Sequence, residues 1–197
     1  DFGTGIIDTS KTTNMSYMFN LFSNNKGIDL DLSNFDTSNV TAMYAMFYGS
    51  NIKNLNLSSF TSDKLTNVDG MFCGSRVQKI KFGDNFTLEN VQSTNGMFQD
   101  CIFLQSLDLS HFRPVNLTSC ANMFAMTSKY NNSILGKIVF GSYFTPNEEC
   151  DVTNALYKAM EYKKDLTIKC NSATKQLLDT DSSGRDKDNV KFELYPD

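Results

Sequence analysis

One eight-residue phrase, written over and over, limits what this chain can fold into more than any other feature. It reads Val40-Thr41-Ala42-Met43-Tyr44-Ala45-Met46-Phe47, then Leu65-Thr66-Asn67-Val68-Asp69-Gly70-Met71-Phe72, then Val91 to Phe98 and Leu117 to Phe124, with an earlier copy at Thr12 to Phe19. The Met-Phe pairs begin at 18, 46, 71, 97 and 123, in steps of 28, 25, 26 and 26 residues. Self-similarity at that period marks stacked coils, each of which can bury its apolar face only against a neighbour. The 197 residues, 40% hydrophobic and 20% charged, suffice for one continuous core column. The expectation is a single repeat domain over residues 1–197, with regular coils over about 7–125 and degenerate coils over about 126–197.

A second unit alternates apolar and polar residues: Leu30-Asp31-Leu32-Ser33-Asn34-Phe35, Leu55 to Phe60 and Leu107 to Phe112. Looser copies are Ile80-Lys81-Phe82, Ile138-Val139-Phe140 and Ile168-Lys169-Cys170, and Val190 to Leu194 looks like a last one. Period-two alternation predicts short strands with one face buried, and strands one coil apart run the same way, so a single parallel sheet is expected. In the octet, Val40, Met43, Met46 and Phe47 fall on one face of about two helical turns. The polar run Asp36-Thr37-Ser38-Asn39 reads as a turn and helix cap. Each coil is therefore expected to be strand, turn, short helix and return loop, with helices forming the wall opposite the sheet and Met and Phe between. Val152 to Met160 reads as a degenerate sixth helix and Ser172 to Leu178 as a seventh, capped by Ser172. At the start, Gly3, Thr4 and Gly5 fill a strand slot poorly, and no strong polar cap is evident. This favours an array that continues upstream over a degenerate capping coil.

These phrases closely resemble the repeats of BspA-like bacterial surface proteins, units of about 25 residues related to leucine-rich repeats. Leu104-x-x-Leu107-x-Leu109 fits the leucine-rich strand pattern, with Phe112 where other classes place asparagine. The resemblance covers residues 7 to 125 well and the rest weakly. It implies an α/β leucine-rich-repeat-like right-handed solenoid, with one parallel sheet of short strands on one wall and short helices on the other. It also implies a protein exported to the bacterial cell surface, where such proteins are associated with adhesion to host proteins or other cells.

Chemistry is sparse. The one histidine, His111, sits where other repeats carry Asn34 and Ser59, so an exposed position is expected rather than a general base. No nucleophile elbow, phosphate loop or dinucleotide fingerprint is present, and no enzymatic activity or cofactor is expected. The net charge of −4 gives no basic face for nucleic acid, and no run of 18 apolar residues exists to span a membrane. The five cysteines, Cys73, Cys101, Cys120, Cys150 and Cys170, show no zinc spacing. They read as small buried apolar residues, with a disulfide between neighbouring coils left open. Asp179-Thr180-Asp181-Ser182-Ser183-Gly184 begins like a calcium loop, but Val190 stands where the closing glutamate belongs, and a solvated turn explains it as well. No metal site is expected. Of the Asn-x-Ser/Thr triplets at Asn14, Asn39, Asn56, Asn85, Asn116 and Asn131, several lie inside the repeat phrase itself, which explains them without glycosylation.

What remains is the outward face of the strands. Its candidate binding residues are Asp29, Asp31, Asn54, Asn56, Lys79, Lys81, Ser106, Asp108, Lys137 and Lys169, a polar row that turns from acidic to more basic. Such a face suits a host or cell-surface protein partner. A structural spacer with no ligand is the second reading, and a carbohydrate-binding accessory ranks below it because the row is mostly without aromatic rings.

Overall fold

In the computed structural model, residues 7–23, 25–127, 133–159, 165–181 and 190–196 are described. Alternating segments form strands β1 (Ile28–Asp31), β2 (Ile52–Leu57), β3 (Lys79–Phe82), β4 (Ser106–Leu109), β5 (Lys137–Phe140) and β6 (Leu166–Cys170), and, after helix α1 (Ser172–Asp179), β7 (Val190–Leu194). Every pairing is parallel, and the register carries equivalent repeat positions onto one another: Leu30, Leu55 and Ile80 align, as do Leu107, Ile138 and Ile168.

The single expected sheet is two. One has the order β1-β2-β3 and the other β4-β5-β6-β7. Between them main-chain pairing lapses, with the Gln105 N–H approaching Gln78 O only at 3.5 Å. The coils on either side are joined instead by the octets and by Phe82, whose ring meets those of Phe86 at 5.4 Å and Phe112 at 5.4 Å.

Among the described residues the expected wall of helices is absent, and with it the expected leucine-rich-repeat-like solenoid. Each octet is a chain of tight turns. Met46 N–H bonds to Met43 O, Tyr48 to Ala45 and Ser50 to Phe47, while the alternate amides leave the coil: Met43, Ala45, Phe47 and Gly49 donate to the carbonyls of Asn67, Asp69, Met71 and Cys73. A helix would spend those amides on itself. The third residue of the first turn has positive φ in every copy: Tyr17, Ala45, Gly70, Gly96, Asn122 and Asn154. That is the geometry of a type II turn, for which glycine and asparagine are suited. Gly70 and Gly96 sit in mid-octet, where a helix would lose about 1 kcal/mol to each. The degenerate copy at residues 153–159 is likewise turns, and Met160 lies outside the described residues. Among the described residues α1 is the only α-helix, and Asn171 rather than Ser172 caps it, accepting from Thr174 N–H at 2.7 Å.

The polar run also differs from a helix cap. Asp36 accepts from Ser38 N–H, closing a local turn, while Thr9 Oγ1 both donates to Asp36 O and accepts from Asp36 N–H in the next coil. Thr37 repeats that double bond with Thr61. Asn39 and Asn116 turn their amides onto Ser10 O and Glu89 O of the preceding coils. The repeat phrase needs those asparagines for stacking. Asn131 and the strand slot at residues 1–6 lie outside the described residues.

The core runs up the middle. Met46, Met71, Met97 and Met123 and the phenylalanines that follow them are all buried. The rings of Phe19, Phe47, Phe72, Phe98 and Phe124 stack nearly parallel, at successive centroid distances of 5.3, 5.4, 5.2 and 5.7 Å. Phe72 touches a ring on each side in this column. Phe72→Ala is therefore expected to lower unfolding free energy by about 3–5 kcal/mol, the range for deleting a buried aromatic ring. Chemical denaturation read by circular dichroism measures it, and a loss below about 1 kcal/mol would mean the column contributes little.

Candidate binding surface

The outward strand residues meet across β1, β2 and β3 as the register dictates: Asp29, Asn54 and Lys79 in one rank, and Asp31, Asn56 and Lys81 in the next. The Asn54 amide donates to Asp29 Oδ1 at 2.7 Å and the Asn56 amide to Asp31 Oδ1 at 2.9 Å. Each rank thus runs acid, amide, base. Asp31 also accepts from Ser33, and those bonds, with the Asn56 amide and the charge of Lys81, hold its carboxyl below the ordinary 3.8. The two ranks line an open, shallow depression of about 530 Å³, floored by the strand backbone at Leu30, Leu55 and Ile80.

Ser106, Asp108, Lys137 and Lys169 belong to the other sheet. There Ser106 faces Lys137 and Thr167, and Asp108 faces Val139 and Lys169. Lys169 places its ammonium 4.6 Å from the centre of the Tyr195 ring, whose hydroxyl donates to Phe140 O. The candidate residues therefore form two groups, and the first six line the depression.

Two clusters on the surface escaped the strand-by-strand reading. Lys26, Lys53 and Arg76 border a smaller hollow of about 230 Å³ with Asn25, Asn51, Gln78 and Phe103, and the Arg76 guanidinium lies 4.9 Å from the Phe103 ring centre. On the turn wall, Tyr17, Tyr44 and Tyr48 are exposed, Tyr17 and Tyr44 meeting edge to face at 5.2 Å. The signal was present in and just after the octets, where Tyr44 and Tyr48 stand in place of Asp69 and Cys73.

A family described as "Mycoplasma protein of unknown function, DUF285" matches residues 2–85 and again residues 77–168. The chain belongs to this family. Each DUF285 match takes in about three coils, and α1 and β7 lie beyond both. No curated protein matches the chain, and no solved structure does.

His111 is half-exposed, 3.4 Å from the Asp84 carboxylate. All five cysteines are free thiols. Burial pushes Cys73 and Cys170 up to about 11 and Cys101 up to about 12, so these three stay protonated at neutral pH. Cys120 and Cys150 share a hydrogen bond across adjacent coils, which pushes Cys120 up and draws Cys150 down. Asp181, one of the would-be calcium ligands, is buried and accepts from Leu156 N–H at 3.1 Å. Ser182, Ser183 and Gly184 lie outside the described residues. Among the described residues no group of three or more His, Cys, Asp or Glu converges on a metal position, and no helix is long and apolar enough to cross a membrane.

One device recurs at Asp8, Asp31, Asp36 and Asp151: each accepts from the residue two positions on, which lowers its pKa from 3.8. Such groups stabilise the fold fully above the unfolded value and lose that contribution as pH falls through the depressed folded value. The urea midpoint should hold steady from about pH 7 to 5 and fall below about pH 4. Asp36→Asn keeps an acceptor without a titrating group, so it should flatten part of that fall in urea melts run across the range. An unchanged slope would separate Asp36 from the acid response.

Proposed function

We propose that this chain is a non-catalytic binding module, displayed on the outside of a bacterial cell, that holds a protein partner across the exposed face of β1, β2 and β3. The observation that carries this reading is the graded pair of ranks, Asp29-Asn54-Lys79 and Asp31-Asn56-Lys81, around one depression. Hydrogen bonds to Asn54 and Asn56 hold both carboxylates in place, so the acidic edge is preorganised. Lys79 and Lys81 stay exposed at the other edge. A partner with the opposite gradient would be oriented as well as attracted, since complementary charge fixes register and raises the association rate. The resemblance to BspA-like repeats supports surface display and adhesion.

A spacer role is the second reading. The ring column and the coil-to-coil bonds continue through the stack, which would give a stiff rod that holds another domain away from the surface.

The two readings part on a panel of immobilised extracellular matrix proteins probed with the chain. A binding module captures at least one of them, and a spacer captures none. For a partner seated on the sheet, Lys79→Glu with Lys81→Glu should weaken binding about tenfold or more, chiefly through the association rate, and should steepen no salt dependence. Surface plasmon resonance at two ionic strengths reads both effects. Unchanged affinity would move the partner off this face.

A further inference from the structure

The smaller hollow lies beside the strand face, where the return loops enter β1, β2 and β3. Its cations come from successive coils: Lys26 precedes β1, Lys53 is the second residue of β2 and Arg76 precedes β3. The register accounts for Lys53. Ile28 faces Ile52 and Asp29 faces Asn54, so Lys53 has no counterpart in β1. An extra residue of this kind breaks the regular alternation and re-aims its side chain. Lys53 and Asn54 are accordingly both exposed, side by side. Gln78 N–H bonds to Lys53 O at 2.8 Å and Arg76 N–H to Ser50 O at 2.8 Å, which fixes the two loops against each other.

Lys53 and Arg76 are both held in place. The Lys53 stem lies across Gly27, where an added Cβ would stand 3.0 Å from Lys53 Cε and 3.1 Å from Asn51 Oδ1. The Arg76 guanidinium rests 4.9 Å from the centre of the Phe103 ring, a contact that orders an exposed cation. Among the described residues, no carboxylate lies within salt-bridge distance of Lys53 or Arg76, and none lines the hollow. The amides of Asn25, Asn51 and Gln78 complete the polar lining, and an amide both donates and accepts. Lys53 and Arg76 belong to coils with a described coil on either side, so their placing does not depend on what precedes Ile7.

We propose that this hollow binds a phosphate monoester carried on a sugar, with Lys53 and Arg76 on the phosphate and the side-chain amides on the sugar hydroxyls. Two ordered cations without a carboxylate match a phosphate monoester, whose charge is about −1.5 to −2 at pH 7. Arginine offers its oxygens a planar fork, and lysine adds a point charge. The sugar is favoured as carrier because the amides suit hydroxyls. Phe103, the ring in the lining, already carries the Arg76 guanidinium, which leaves little for an acyl chain or an apolar peptide side chain. The volume of about 230 Å³ falls below the about 300–1,000 Å³ of pockets for drug-sized ligands, so it suits a single sugar unit. None of these residues belongs to the ranks Asp29-Asn54-Lys79 and Asp31-Asn56-Lys81. The inference therefore stands whether or not the strand face holds a partner.

The test is isothermal titration calorimetry of the full chain with the 6-phosphates of glucose, mannose and N-acetylglucosamine. Inorganic phosphate, glycerol 3-phosphate, a phosphoserine peptide and the unphosphorylated sugars are titrated beside them. At least one sugar phosphate should bind saturably, about tenfold or more tighter than inorganic phosphate or its own parent sugar. Lys53→Gln and Arg76→Gln should each weaken that binding about tenfold or more. Arg76→Lys keeps the charge and loses the fork, so it should restore only part of the affinity. Circular dichroism checks the fold of each variant, and the exposed Lys53→Gln decides the matter if the Arg76 variants do not fold. Absence of saturable binding by all three sugar phosphates at about 10 mM, above the range of a millimolar site, would overturn the proposal. Equal affinity for inorganic phosphate, or unchanged affinity in Lys53→Gln, would overturn it too. Tighter binding of glycerol 3-phosphate or of the phosphoserine peptide would assign the hollow to a lipid headgroup or a peptide, and overturn it equally.

Discussion

Backbone hydrogen bonds between successive octets are the constraint from which the rest of the architecture follows. An amide can bond within its own coil or to the next one, and here the two uses alternate residue by residue: Met46 and Tyr48 close turns, while Ala45 and Phe47 bridge outward. That alternation satisfies buried polar groups on a wall that is neither helix nor regular sheet, where unpaired groups would each cost about 1–3 kcal/mol. It also fixes the separation between coils at hydrogen-bonding distance, about 4.7–4.9 Å. The phenylalanines, one to a coil, must then stack at little more than that spacing, and their centroids do lie between 5.2 and 5.7 Å apart. The ring column is a result of the backbone bonding as much as of the apolar core.

Close approach between coils explains residues that otherwise look incidental. At Gly141 an added Cβ would come within 2.2 Å of Ser110 O, and at Gly83 within 2.4 Å of Ser58 O. Both follow a strand, where the chain turns over the preceding coil. The hydroxyls of Thr9 and Thr37 work in the same tight space, each serving as donor and acceptor to one residue of the next coil. Serine, threonine, asparagine and glycine recur in the repeat because neighbouring backbones need small or doubly bonding side chains between them.

Much of this could be read from the residues, and each failure has its own physical cause. Period two in Leu30-Asp31-Leu32 and its copies placed the strands, and the burial of Met46-Phe47 and Met71-Phe72 follows from the same repeat. The octet misled because Val40, Met43, Met46 and Phe47 have the spacing of a helix face, and a turn chain with a repeat near four residues buries the same positions. Gly70, Gly96, Asn122 and Asn154 held the contrary signal, since residues suited to positive φ recurred at one place in the octet. The candidate surface was legible as a row of residue types, because parallel register carries sequence position directly into space. Its division between two sheets was not, since β3 and β4 both keep the alternation of apolar and polar residues. Asp181 was misread because its partner, Leu156 N–H, lies 25 residues away.

Stacking by coils also sets how this molecule scales. In a rounded domain, interior volume outgrows surface as the chain lengthens, so larger versions bury a greater fraction of themselves. Here the cross-section is fixed by the length of one repeat, and every added coil brings the same increment of interior and of exterior. Stability then accrues as a sum of like steps rather than by a growing ratio, and the family can vary in length without redesigning its centre.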